Sequence, residues 1–430
     1  MTWPGASLGR LARTVGGGTP SKQNDAFWNG TIPWVSPKDM SGREIHDAED
    51  HVTESAVEGS ATQIVPVGSI LVVVRSGILV RRLPIAIVRV PVALNQDMKA
   101  LLPGGPLVPE FLAYALEARA GYVLAECVKR GATVHSVDMQ KFIQMELPVP
   151  APSEQRRIVE LLDQADALRR QRTEADAKAN RILPAVFLKM FGDPATNPNG
   201  WPIVRLGEVA TELRYGTSQR CDRDKAGTPV LRIPNVVRGE VDWSDLKYAD
   251  LPEVEADRLR LQAGDLLFVR TNGNPDYVGR CAVFEPTVNS CALFASYLIR
   301  VRVDTSRIDP WYLAAFARTA SGRRAMKPYI RTTAGQSNIG AEGLRSIPVL
   351  VPPIALQKRF RDSVMRARKQ QAMCQVASER LGTLFSVMLR RAFSGALTSG
   401  WRRSHLKELA QEMEQQARYL AGAASPEGRT

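Results

Sequence analysis

Residues 3–12 read WPGASLGRLA and residues 201–210 read WPIVRLGEVA, one Trp-Pro-x-x-x-Leu-Gly-x-x-Ala pattern met twice, 198 positions apart. Further matches recur in order. Gly18-Thr19 answers to Gly216-Thr217 at an offset of 198, and IPWVSPKDM (32–40) answers to TPVLRIPNV (228–236) at 196. GSILVVVRSG (68–77) parallels GDLLFVRTNG (264–273) with one residue inserted. LPVP (147–150) parallels IPVL (347–350), and VPAPSEQRR (149–157) parallels VPPIALQKR (351–359) at an offset of 202. Matches that keep their order with small drifts mark two diverged copies of one unit.

Each copy ends in a helical part. In SEQRRIVELLDQADALRRQRTEADAKANRILPAVFLKMFGDP (153–194), Ile158, Leu161, Ala165, Leu168, Ala175, Ala179, Ile182 and Val186 fall at heptad spacings, with Arg172 on the same seam. In the second copy Phe360, Ala367, Cys374, Ala377, Leu381, Leu384 and Met388 take those places. Two such helices in one chain predict an antiparallel coiled-coil pair, the alanines allowing close approach. The competing reading packs each helix on its own globular neighbour. A helix over 154–190 would be roughly 55 Å long, kinked late by Pro184.

The globular parts read as mixed α/β. SILVVVRSG, DLLFVRTNG and SYLIRVRVD (296–304) have strand character, while PEFLAYALEARAGYVLAECV and PWYLAAFARTASGRRAM are helical. The expected organisation is therefore a globular unit over 1–150, a helix over 151–198, a second unit over 199–350, a helix over 351–400 and a tail over 401–430. In the tail SHLKELAQEMEQQARYL is weakly amphipathic and fades into AGAASPEGRT, whose composition predicts disorder.

The net charge is +13 and uneven, neutral over residues 1–150 and +8 over 351–430. Such an excess suits a polyanion such as nucleic acid, or is simply a basic soluble surface. No signal peptide is visible, and the most apolar stretch (64–80) is broken by Arg75. The reading is a soluble cytoplasmic chain with no membrane partner. Five scattered cysteines without a C-x-x-C pair and only four histidines predict no metal site. No phosphate-binding loop, G-x-G-x-x-G turn or G-x-S-x-G elbow occurs, so the sequence offers no catalytic residue and no cofactor site. NPDY (274–277) resembles the Asn-Pro-Pro-Tyr/Phe loop of amino-methyltransferases, but Asp276 breaks the pattern and a surface turn is the preferred reading.

What remains is a set of polar and basic loop residues in both copies. The first holds Thr19, Ser21, Lys22, Lys38, Asp39, Arg75, Ser76, His135 and Ser136. The second holds Arg214, Tyr215, Thr217, Ser218, Arg220, Arg232, Asn235, Arg270, Thr271, Asn272, Arg331, Gln336, Ser337 and Asn338. Arg reads guanine bidentately, Asn and Gln suit adenine, and Ser, Thr and Lys suit phosphates.

Together these features resemble the specificity subunit of type I restriction–modification systems. GGGTPSKQNDAFWNGTIPWVSPKDM (16–40) and LNQDMKALLP (94–103) look like one target recognition domain, YGTS (215–218) and FVRTNGNPDYVGR (268–280) like a second. PAPSEQRRIVELLDQADALRRQR (150–172) with FLKMFGDP (187–194) is similar to the family's central conserved helix, and AFSGALTSGWR (392–402) to its distal counterpart. One departure stands out: Leu356 sits where the family pattern puts an acidic residue before Gln357. The resemblance implies two recognition domains separated by a long antiparallel two-helix coiled coil. It implies double-stranded DNA as ligand, with each domain reading one half of a split target. It implies docking of two modification (methyltransferase) subunits and of restriction subunits, with S-adenosylmethionine, ATP and magnesium used by those partners and no cofactor bound here. Since Thr19-Pro20-Ser21 departs from Thr217-Ser218-Gln219, and Ser36 opposes Arg232, the composite target should be asymmetric. The rivals are a self-contained DNA methyltransferase or nuclease, and a coiled-coil adaptor without DNA recognition.

Overall fold

The computed structural model describes residues 3–131, 134–224, 226–286 and 291–422. The end of the AGAASPEGRT stretch, from residue 423, lies outside them. The chain forms two compact units, one built from Met1–Arg172 with Ser378–Thr430, the other from Thr173–Ala377.

The centre of the first unit is the strand Ile70–Val73, buried at every position. Alternate side chains of a strand face opposite ways. Here Ile70 and Val72 meet a core shared with the helix Pro109–Tyr122, while Leu71 and Val73 meet a second core with Val35, Val88 and Leu94. Cover on both faces is why the run is continuously apolar. Its sheet runs in the order Ala12–Gly16, Met98–Pro103, Ile70–Val73, Ile85–Val88, Glu44–Ile45. A second sheet holds Asp50–Val52, Trp28–Val35, Val92–Leu94 and Ile64–Val65. A small third sheet orders Val128–Lys129, His135–Val137 and Arg75–Ser76, and Gly5–Ser7 pairs with Glu146–Pro148.

The second unit repeats this plan. Leu266–Val269 splits its side chains between two cores in the same way, Leu266 and Phe268 to one, Leu267 and Val269 to the other. Its sheets run Ala210–Tyr215, Leu298–Val303, Leu266–Val269, Cys281–Val283; then Lys247–Ala249, Thr228–Leu231, Leu293–Phe294; then Thr271–Asn272, Gln336–Asn338, Arg331–Thr333. Ile203–Arg205 pairs with Pro348–Leu350. A parallel pairing joins Trp34 to Ala93 in one unit and Val230 to Leu293 in the other.

The hydrogen bonds correct the alignment in three places. The Gly18 N–H bonds the Leu94 carbonyl at 2.8 Å and the Thr217 N–H bonds that of Phe294 at 2.9 Å, so Gly18 matches Thr217, not Gly216. The Val149 N–H meets the Pro4 carbonyl and the Val351 N–H that of Pro202, so LPVP matches 349–352 rather than 347–350. The Val74 N–H bonds the Asp97 carbonyl and the Arg270 N–H that of Tyr297. No residue is inserted there: Arg75 corresponds to Thr271, and Val74 to Arg270.

The first long helix is Pro152–Ala179, followed after a break by Ile182–Phe191; the second, Ile354–Phe393, is unbroken. The break falls one turn before the expected kink at Pro184. A proline ring clashes with the carbonyl four residues back, here Asn180, while Pro184 itself sits harmlessly in the first turn of the new helix. Within the first unit Ile158, Leu162 and Ala165 share a core with Phe385 and Ala392, and Arg169 lies over the Phe385 ring at 4.2 Å. Within the second, Phe187 and Phe191 meet Phe360 at 5.6 and 5.5 Å, with Val364 beside them. In both units the start of one helix meets the end of the other, an antiparallel pairing.

The seam differs from the expected heptad. Leu168, Ile182 and Leu384 are 52%, 55% and 49% exposed, and Ala175 and Ala179 are exposed too. Leu161, Ala367, Ala377 and Leu381 are half-buried. The buried stripe runs instead through Ile158, Leu162 and Ala165, because this end of the helix packs on its α/β unit as well as on its partner helix. Both readings of the helices are thus partly right.

The tail joins the first unit. Glu154, 1% exposed, accepts from the Trp3 indole at 2.9 Å, the Thr398 hydroxyl at 2.7 Å and Arg402 Nε at 2.8 Å. Glu412 accepts from the Ser153 N–H at 2.8 Å at the start of the first long helix, and Gln416 donates to the Val149 carbonyl at 3.0 Å.

Candidate nucleic-acid interface

In each unit a buried strand delivers its next residues into the small polar sheet, so the core fixes the position of an exposed surface. In the first unit Arg75–Ser76 leaves Ile70–Val73 and pairs with the hairpin strand, Ser76 opposite His135 and Arg75 opposite Ser136. The Asp97 carbonyl accepts from the Val74 and Arg75 N–H groups at 2.9 and 3.3 Å. The neighbouring Gln96 side chain meets Thr19, and Asn95 Nδ2 donates to Thr19 at 3.4 Å. The loop 94–97 therefore gathers Thr19, Arg75, Ser76, His135 and Ser136 into one patch. His135 Nδ1 is buried without a partner among the described residues.

The second unit builds the equivalent patch from other side chains. Thr271 lies opposite Asn338 and Asn272 opposite Ser337, with Arg331 opposite Asn338 and Thr333 opposite Gln336 across an exposed hairpin. The turn Ala334-Gly335 has φ of 49° and 77°, the left-handed geometry such a tight hairpin requires. Ser337 is buried and shares a hydrogen bond with Thr332 at 2.8 Å. Arg270 lies over the exposed Tyr215 ring at 4.8 Å. Thr217 adjoins the same loop, accepting the Ser296 N–H on its carbonyl at 2.7 Å, and Ser218 beside it is exposed.

Other expected residues stand apart or are committed elsewhere. Asn235, 1% exposed, accepts the Arg232 N–H at 2.9 Å and donates to the Asp242 and Asp245 carbonyls at 2.8 and 3.0 Å. Its amide holds a turn and is withdrawn from any ligand. Asp39 does the same for Ser36 in the first unit, at 2.9 Å. Arg232 pairs with Asp245, whose carboxyl is held below its usual range by that guanidinium. Lys38 is bound to Asp50 at 2.9 Å and Glu49 at 3.2 Å, and Arg214 to Glu212 at 2.6 Å. Neither offers an uncompensated charge. Ser21 and Lys22 lie in an exposed loop tied through the Ser21 carbonyl to the Trp28 indole, and Arg220 is exposed in the loop after Thr217.

Three residues of these patches escaped the sequence reading. Gln96 sat inside the quoted LNQDM. Tyr297 was hidden because SYLIRVRVD looked like one strand, whereas the strand begins at Leu298 and leaves Tyr297 exposed. Lys99 reaches over Gly16, its Nζ 2.7 Å from where a Cβ would stand. In the NPDY loop the exposed Asn274 is spent on the backbone: its side chain accepts the Asp276 N–H at 2.9 Å and caps the turn Pro275–Tyr277. Among the described residues no group of three or more His, Cys, Asp or Glu is placed to hold a metal, and no helix is long and apolar enough to cross a membrane.

Residues 2–177 match the family described as type I restriction modification DNA specificity domain. The chain is 44% identical over 169 residues to the type I restriction enzyme EcoR124I/EcoR124II specificity subunit of Escherichia coli, covering 39% of this chain and 42% of the relative. It is 30% identical over 288 residues to the EcoKI specificity subunit of Escherichia coli strain K12, covering 63% and 62%. These matches span less than two thirds of either relative. A solved chain from work on assembly and conformational transition of the type I restriction–modification system shares the fold, with a TM-score of 0.56 at 16% identity over 92% of this chain and 98% of that one. The chain is thus similar to type I restriction–modification specificity subunits, its residues 2–177 through their DNA specificity domain and a longer stretch through the EcoKI relative, and it shares the fold of a solved chain of that system.

Proposed function

We propose that this chain is the non-catalytic DNA-recognition and scaffold subunit of a type I restriction–modification complex. Each α/β unit reads one half of a split, asymmetric double-stranded target through its polar sheet and adjoining loops. The long helices carry the unread gap and dock two methyltransferase subunits, and restriction subunits join the larger assembly in the cytoplasm. S-adenosylmethionine, ATP and magnesium belong to those partners.

One observation carries this reading: two units of one topology present equivalent polar patches, Thr19, Asp97, Arg75, Ser76 and His135 in one, and Ser218, Tyr297, Thr271, Asn272 and Ser337 in the other. A scaffold with no ligand has no use for two matched surfaces of unlike chemistry. The positioned Asn, Gln and Arg side chains suit base edges, and the basic surplus suits phosphates.

The experiment is to coexpress the chain with the methyltransferase encoded beside it and to map methylated adenines genome-wide. A single interrupted, asymmetric motif that vanishes when this chain is deleted is the expected result. Methylation unchanged by the deletion would remove the assignment.

A further inference from the structure

The two patches share one plan but carry different cations. In the second unit Arg270 is pinned along its backbone, its N–H donating to the Tyr297 carbonyl at 2.9 Å and its carbonyl accepting the Ile339 N–H at 2.9 Å. Its guanidinium lies 4.8 Å over the Tyr215 ring, and the ring is held because the phenol oxygen accepts the Ala341 N–H at 2.8 Å. Neighbouring arginines are engaged by carboxylates: Arg214 and Arg300 with Glu212, Arg232 with Asp245, Arg302 with Asp265. Arg270 is different. Among the described residues it makes no ion pair, its Nη1 has only a long bond to the Ser296 carbonyl at 3.3 Å, and its buried Nε has no partner. A half-buried planar cation, stacked, fixed and short of acceptors, is preorganised for an outside ligand that presents two acceptors in a plane.

The first unit lacks this device. Val74 stands where Arg270 would be and Gly16 where Tyr215 would be, with Lys99 reaching over Gly16; the guanidinium of that patch, Arg75, is exposed one residue further on, at the place of Thr271, and lacks the stacked tyrosine. An ammonium is a point charge that any phosphate satisfies. The guanidinium fork matches the O6 and N7 acceptors on the major-groove edge of guanine.

The geometry points to Arg270, braced by Tyr215, as the residue through which the second unit reads a guanine, with no counterpart in the first unit. The assignment rests on the DNA-recognition reading above. Arg270 specifies one base pair in one half-site, and Tyr215 positions it.

The test compares motifs methylated by the full complex carrying wild-type chain, Arg270→Lys, Arg270→Ala or Tyr215→Leu. The expected result is that one G·C pair in one half-site becomes degenerate, its discrimination falling about tenfold or more, while the other half-site and the gap stay unchanged. With purified complex, 7-deazaguanine at that position weakens wild-type binding about tenfold and weakens the Arg270→Ala complex no further. An unchanged motif, a change at an A·T pair, or equal weakening on every sequence, the mark of a phosphate contact, would overturn the assignment. Should Arg270→Ala fail to fold, Arg270→Lys and the modified base still decide it. A wild-type complex that leaves no split motif overturns the recognition reading itself, a different outcome from a wild-type motif that Arg270→Ala leaves intact.

Discussion

Gln155 and Gln357 hold the same post in the two units. Each accepts a backbone N–H just before a proline-started helix, Val108 for Gln155 and Asp309 for Gln357, both at 2.8 Å. Each donates to a proline carbonyl five residues back, Pro150 at 2.8 Å and Pro352 at 2.7 Å. Both are fully buried, and each ties a long helix to its globular unit. Gln155→Ala strands these two groups, and Gln357→Ala strands a third, the Arg307 carbonyl to which it donates at 3.2 Å, at about 1–3 kcal/mol for each one that is buried. Urea unfolding of the two single variants should show losses of that size. Proteolysis should open the first unit in Gln155→Ala and the second in Gln357→Ala.

The Glu154–Arg402 pair gives a second prediction. The carboxylate is buried, so Arg402→Met leaves a charge without its main partner and should destabilise the first unit by about 3–5 kcal/mol. The double variant Glu154→Leu/Arg402→Met should be closer to wild type, because Leu356 already fills the matching position in the second unit. A denaturation cycle over the four proteins checks this. Strict additivity would show that the two residues are not coupled.

Inserting four residues near Ala175 and four near Ala377 adds about one helical turn to each helix. On the function proposed above, the methylation motif should keep both half-sites and widen its gap. An unchanged gap would separate the helices from spacing.

Thiol labelling probes the cores directly. Cys127 and Cys281 are buried and their thiols are pushed up by burial, that of Cys281 to about 12, whereas Cys221, Cys291 and Cys374 are half-buried. At pH 8 the native protein should label rapidly at those three and slowly at Cys127 and Cys281. The two buried thiols should react as urea opens their units. Fast native labelling of Cys281 would contradict the core around Leu266–Val269.

The duplication was legible because buried strands keep their residue types: ILVV and LLFV, Trp34-Val35 and Val230-Leu231, align as their backbones do. At the surface the same method misled. It put an inserted residue between GSILVVVRSG and GDLLFVRTNG, whereas the carbonyls of Asp97 and Tyr297 show that none is inserted and that Val74 holds the place of Arg270. It listed Asn235 as a base reader since an amide that caps a turn and one that reads adenine look alike in a sequence. The heptad reading erred by one position at Leu161, because a helix packed on two neighbours buries a wider stripe than a two-stranded seam. The role of Glu154 was out of reach, its partners Thr398 and Arg402 lying 244 and 248 residues away.

That clasp bears on synthesis. Domains usually mature in the order in which they leave the ribosome. The second unit is one continuous stretch, Thr173–Ala377, but the first needs Ser378 onward for its own core. The residues up to Arg172 must therefore wait for those from Ser378 onward, a delay on the order of tens of seconds at usual elongation rates. A message cut short before Thr398 would yield a chain whose second unit is complete while its first is left unfinished, so synthesis past Thr398 is itself a condition for both units to stand.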